Sequence, residues 1–296
     1  MSTSSAERPS PVNDRGPETH RPVRIERWSP DGHEAADDLV VAEEPLQVVL
    51  DGDPFAVIMR TPGHDLELVL GLLFVEGLIR ALTDVAGAAV AASGLPVDAP
   101  PFPVLALPEA ENLVDLRLAR PRPKDGPVGW QRNLVSNSAC GICGAAALDA
   151  LRADLPVLPS GPVFARTVIS GMAPALRSTQ ATFDLTGGLH AAGLFDQEGR
   201  LLVAREDVGR HNAVDKIVGR ALLAGELPLH DRVLMVSGRA SFELAQKAVA
   251  AGIPLMAAVS APSSLAVHVA HTFGLTLVGF LRGDRFNVYA AGERIA

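Results

Sequence analysis

The stretch that decides the fold is Arg232-Val233-Leu234-Met235-Val236-Ser237-Gly238-Arg239-Ala240-Ser241, followed by Phe242–Ala251 and then Leu255–Val259. A short run of apolar residues without alternation exits into small polar residues, then into ten residues with helical spacing, then into a second apolar run. Strands that are apolar on both faces belong in the middle of a sheet covered on both sides. The pattern repeats: Ser264–Phe273 reads as a helix, Thr276–Leu281 as a strand and Phe286–Tyr289 as a short final strand. Upstream, His190–Phe195 and Leu201–Arg205 flank Asp196-Gln197-Glu198-Gly199 as a hairpin, and His211–Leu223 reads as a helix. Alternating strands and ten-residue helices predict an α/β fold with a mixed, largely parallel sheet flanked by helices and antiparallel hairpins at its edge.

The first half is less regular. Asp51-Gly52-Asp53-Pro54 joins the strand-like runs Leu46–Leu50 and Phe55–Arg60, and Asp65–Arg80 carries apolar residues at helical spacing. Gly87 to Pro103 reads as a loop, Val104–Leu107 and Leu113–Leu118 as strands, and Ala145–Arg152 as a short helix. Prolines cluster between Asp154 and Gly161. The expected organisation is therefore a disordered tail over 1–22, a smaller N-terminal α+β subdomain over 23–157, and a larger α/β domain over 158–296.

Composition narrows the function. The net charge is −8 and the pI near 5.5, so no global basic field draws nucleic acid or anionic lipid. The apolar stretch Ile253 to Leu281 is broken by Pro254, Pro262 and His271, so no membrane span is expected. The start of the chain lacks an apolar signal core, and cysteine is rare, which points to the reducing cytoplasm.

Where ligands bind in such a fold is predictable: beyond the carboxyl ends of the strands. Three exits qualify here, namely Ser237 to Ser241, Ser260 to Ser264, and Phe280-Leu281-Arg282-Gly283-Asp284-Arg285. Hydroxyls and N–H groups at helix starts suit phosphate, Arg239, Arg282 and Arg285 suit bidentate anion contacts, and Asp284 suits a base or ribose. The alternative reading makes the serines helix caps and the arginines solvated. Glu206 to Lys216 (EDVGRHNAVDK) is the densest polar run; His211 and Asp215 lie four apart on one helix face. It reads equally as part of a reactive site or as a buried network with Asp207 as a cap.

The two cysteines are Cys140 and Cys143, in Cys140-Gly141-Ile142-Cys143-Gly144. A closed zinc site needs four ligands, and the His268/His271 pair reads as packing, so no metal is assigned. A dithiol redox role and a nucleophilic sulfur role both remain. The flanking glycines, the following helix start and nearby Arg132 favour an accessible thiolate.

Together these residues resemble the FdhD family of formate dehydrogenase accessory sulfurtransferases. The resemblance rests on Arg132-Asn133, the CGICG segment, Thr186-Gly187-Gly188-Leu189-His190-Ala191-Ala192, the Glu206–Lys216 run and Ser237-Gly238-Arg239, with Thr61-Pro62-Gly63 and Glu76-Gly77 also fitting. It spans about Glu44 to Tyr289. It implies a cytidine-deaminase-like fold, a homodimer, and sulfur received from a cysteine desulfurase as a persulfide on Cys140, with Cys143 assisting. The sulfur would pass to the bis-molybdopterin guanine dinucleotide cofactor, carrying molybdenum or tungsten, before insertion into formate dehydrogenase. The resemblance maps Phe280, Leu281, Arg282, Gly283, Asp284 and Arg285 onto the cofactor-contacting stretch, and Ser237 and Arg239 are expected beside it. His190 is followed by Ala191, so the deaminases' metal-site glutamate has no counterpart there. The alternatives are a cytosolic dithiol redox protein and a cofactor-binding chaperone with incidental cysteines.

Overall fold

The computed structural model describes residues 18–91, 94, 100–108, 112–120 and 155–296. Cys140, Cys143, Arg132 and the expected helix Ala145–Arg152 lie outside the described residues.

The larger unit is a three-layer sandwich on a six-stranded sheet in the order β13-β12-β11-β10-β8-β9. Its strands are β8 (His190–Phe195), β9 (Leu201–Asp207), β10 (Val233–Val236), β11 (Leu255–Ala258), β12 (Thr276–Arg282) and β13 (Arg285–Ala290). Parallel pairing is confined to β10–β11–β12; the hairpins β8–β9 and β12–β13 make both edges antiparallel. β10 and β11 are buried along their whole length, as their unalternating apolar sequence requires. One face is covered by α4 (Arg210–Leu223), α5 (Phe242–Ala250) and α6 (Ser264–Phe273). The other is covered by α2 (Arg166–Arg177), through Ile169, Met172 and Leu176. A six-residue helix α3 (Ala181–Thr186) leads into β8. Ser263 caps α6, its Oγ accepting from Ala266 N at 3.2 Å.

The N-terminal unit is a five-stranded sheet, β4-β3-β7-β5-β6, built from β3 (Glu44–Leu50), β4 (Asp53–Arg60), β5 (Val85–Ala91), β6 (Val104–Leu107) and β7 (Leu113–Leu118). α1 (Asp65–Val75) lies across it and is buried at nearly every position, because α4 covers its other side. At that crossing the two backbones touch: Gly71 faces the Asp215 carbonyl and Gly219 faces the Glu67 carbonyl. A separate two-stranded ribbon precedes both units, β1 (His20–Ser29) with β2 (Gly32–Val41).

Two differences from the sequence reading stand out. The stretch read as loop from Gly87 contains most of β5, whose small residues pair with β6 and β7 beneath α1. The stretch read as tail reaches into β1, which starts at His20. That ribbon is exposed on both faces, so no apolar period marks it.

Candidate functional site

The starts of α4, α5 and α6, the ends of β10, β11 and β12 and the start of β8 meet along one edge of the larger sheet. Ser237 extends the β8–β10 pairing: its N–H donates to Ala191 O at 2.9 Å and its Oγ accepts from Ala191 N at 2.9 Å. Ser241, rather than Ser237, is the N-cap residue of α5. Gly238 leaves room for His190, whose Nδ1 would lie 3.3 Å from a Cβ there. Arg239 is exposed and makes no hydrogen bond or ion pair among the described residues.

At the far side of the edge, β12 ends irregularly. Its pairing with β13 shifts between Gly279 and Arg282, and Phe280 is held at φ 54. A left-handed phenylalanine carries strain of roughly 1–3 kcal/mol. Its N–H donates to Ser260 O at 3.2 Å, and its ring remains 40% exposed. Gly279 is enclosed by Pro262, Tyr289 and Ser260 O, each 3.0–3.2 Å from a Cβ. Gly283, at φ 54, starts the turn that delivers Asp284 and Arg285. Phe280, Arg282, Asp284 and Arg285 line an open recess of about 920 Å³ with Arg166, Phe286 and Asn287. None of the three arginine side chains has a partner among the described residues. Three unneutralised guanidiniums, an exposed aromatic ring and one carboxylate suit an anionic ligand that carries a base.

The Glu206–Lys216 run resolves into separate tasks. Asp207 is fully buried and ion-paired to Lys216 Nζ at 2.7 Å. Its carboxylate also accepts from Gly209 N, Asn212 Nδ2 and Thr61 N, so it anchors the start of α4 to the chain entering α1. Lys216 Nζ donates to Thr61 O at 3.0 Å. Asp215 does not meet His211; it pairs with Lys247 at 2.6 Å. Glu206 accepts from Thr182 N and Phe183 N at the start of α3. His211 turns to Ser241 Oγ at 3.3 Å and Glu243 at 3.6 Å. The hydrogen bond from His211 holds the Glu243 carboxyl at about 2, against the opposing effect of burial. His190 is pushed below the usual histidine range, first by burial and then by Arg210, His211 and Arg239.

Sequence reasoning missed Arg205, which forks onto the fully buried Glu67 at 2.6 and 2.8 Å, and Arg166 in the recess. The partner of Arg205 lies 138 residues away, and Arg166 joins the recess from α2, far from β12 in sequence, so no local spacing signals either. His268 and His271 are exposed on α6 rather than packed. Among the described residues no cluster of three His, Cys, Asp or Glu side chains is arranged to hold a metal, and no helix is long and apolar enough to cross a membrane.

Fold and edge together define a three-layer α/β protein with an arginine-lined recess at the carboxyl ends of its strands. Residues 41–296 match the model of the FdhD/NarQ family, and the chain belongs to that family. It is 50% identical over 262 residues to the sulfur carrier protein FdhD of Streptomyces coelicolor, covering 88% of this chain and 89% of the relative. It is 44% identical to the protein of the same name from Mycobacterium tuberculosis, covering 92% and 97%. The protein of that name from Sulfolobus acidocaldarius is 42% identical, covering 93% and 98%. A crystal structure described as a formate dehydrogenase accessory protein from Desulfotalea psychrophila superposes with a TM-score of 0.70. It covers 94% of this chain and 100% of that one at 24% identity, which shows a shared fold.

Proposed function

We propose that the chain is a cytoplasmic sulfur carrier required for formate dehydrogenase activity, acting as a sulfurtransferase through a persulfide on Cys140. A cysteine desulfurase supplies the sulfane sulfur to the Cys140 thiolate. Attack of the Cys143 thiolate on Cys140 Sγ then releases the terminal sulfur as hydrosulfide and leaves a Cys140–Cys143 disulfide, which a cellular dithiol reduces. The acceptor is the bis-molybdopterin guanine dinucleotide, a client bound before its insertion into formate dehydrogenase. Two copies of the chain acting as a homodimer would present two such carriers.

The observation that supports this reading most is the recess. Arg166, Arg282 and Arg285 are unpaired among the described residues, which suits a diphosphate. The exposed Phe280 ring suits the face of a purine, and Asp284 suits the donor edge of guanine. The names of the relatives, sulfur carrier proteins, agree with the thiol chemistry of the CGICG segment.

Intact mass after incubation with a cysteine desulfurase and cysteine tests the assignment. A gain of about 32 Da, one sulfur atom, that reductant reverses and that Cys140→Ala abolishes is the expected result. Loss of two hydrogens with neither sulfur gained nor sulfide released would make the chain a dithiol redox protein. No change at all would make it a chaperone whose cysteines are incidental.

A further inference from the structure

The recess lies at one end of the carboxyl edge, and a second group of basic side chains lies at the other. His190 begins β8 and stands against Gly238 at the end of β10. Arg239 follows Gly238, exposed and without a partner among the described residues. Arg210 and His211 open α4, a 14-residue helix whose N-cap is Gly209. Gly209 offers no side-chain acceptor; Asp207 takes the Gly209 N–H and the Asn212 side chain, and the N–H groups of the first turn beyond it keep the partial positive charge of a helix start. Arg210 is partly exposed, but its Nε is buried and has no hydrogen-bond partner among the described residues. A buried guanidinium nitrogen without an acceptor is costly unless something outside the chain supplies one.

Two carboxylates are near. Asp207 is occupied by Lys216, Gly209 and Asn212, and Glu243 is held by His211. The positive charge of Arg210 and Arg239 therefore faces no free acid among the described residues, and His190, kept neutral by its surroundings, offers a hydrogen bond beside them.

We propose that His190, Arg210 and Arg239, with the first turn of α4, form an anion station for a phosphate or diphosphate group, separate from the Arg282/Arg285 recess. β8 and β12 are three strand spacings apart in the sheet, about 14 Å. One diphosphate does not reach across that distance, so the two ends of the edge hold two different anionic groups. The station stands on its own residues and does not depend on the nucleotide reading of the recess.

Calorimetric titration of the full chain with inorganic pyrophosphate, with NMR of the histidine rings, tests it. Binding at the station is expected to move the His190 and His211 resonances, and Arg239→Gln is expected to weaken the binding read by those resonances at least tenfold. Arg239 is exposed, so this variant folds; Arg210→Gln, with its fold checked by circular dichroism, supplies the second measurement. The double variant Arg282→Gln/Arg285→Gln is expected to remove any binding at the recess and to leave the affinity read by the His190 and His211 resonances within twofold. GDP separates the sources of the anion. Loss of GDP binding in the recess variant, with GDP affinity retained in Arg239→Gln, supports two stations. GDP binding weakened by Arg239→Gln but not by the recess variant keeps the station and moves the nucleotide onto it, so that the recess reading fails instead. The proposal is overturned by absence of pyrophosphate binding at millimolar concentration. Binding that ignores both Arg239→Gln and Arg210→Gln overturns it equally.

Discussion

Gly71 of α1 and Gly219 of α4 let two helix backbones meet without intervening side chains. A Cβ on Gly71 would sit 1.9 Å from Asp215 O, and one on Gly219 would sit 1.8 Å from Glu67 O. Both obstacles are main-chain carbonyls, which cannot rotate away. Gly71→Ala or Gly219→Ala must push the helices apart along the seam that joins the two sheets. Overpacking of this kind costs about 1–3 kcal/mol, and a backbone contact this close belongs at or above the top of that range. Urea unfolding of the two single variants measures it; a loss below half a kcal/mol in both would contradict the crossing.

Lys216 and Asp207 predict a second effect on stability. Lys216→Met leaves the fully buried Asp207 carboxylate without its cation, and removing one partner of a buried pair costs about 3–5 kcal/mol. Asp207→Asn combined with Lys216→Met is expected to recover part of that loss, because no buried charge is left behind. A double-mutant cycle in urea gives the coupling.

Glu67 sets an acid limit. Burial raises its carboxyl, but the Arg205 fork and His64 outweigh that and hold it at about 2, against an ordinary 4.5. A carboxyl depressed in the folded chain contributes stability that is complete above about pH 4.5 and lost as pH falls toward 2. The difference amounts to about 3 kcal/mol. Glu67→Gln is expected to unfold more easily at pH 7 and to show a flatter stability profile between pH 4.5 and 2. Chemical denaturation across that window checks the sign.

Phe280→Gly separates fold from ligand. Glycine accepts φ 54 without strain, so the variant is expected to be at least as stable as the parent toward urea. Removing the exposed ring is expected to weaken guanine nucleotide binding about tenfold, the scale of base stacking on an aromatic side chain. Fluorescence titration with a labelled guanine nucleotide reads the second effect.

The alternation from His190 to Tyr289 was legible because each central strand is apolar on both faces and each helix follows within a few residues. The edge that gathers polar residues was legible for the same reason. Other elements left no such trace. α2 contains Gly171 and Pro174, both poor helix formers, and is held by packing on β8, β9 and β12. β5 is written in alanine and glycine, which read as loop until the partner strands are known. The division of labour within Glu206–Lys216 was also hidden. Which acid meets Lys216 and which meets Lys247 depends on α5 and on the chain at Thr61, far off in sequence.

The bare meeting of α1 and α4 also has a kinetic meaning. Two main chains wedged together, and pinned beside the contact by Lys216 on Thr61 O and Arg205 on Glu67, provide no swivel between the sheets. Clamshell opening is closed to this molecule, so whatever it handles must enter and leave by the rim.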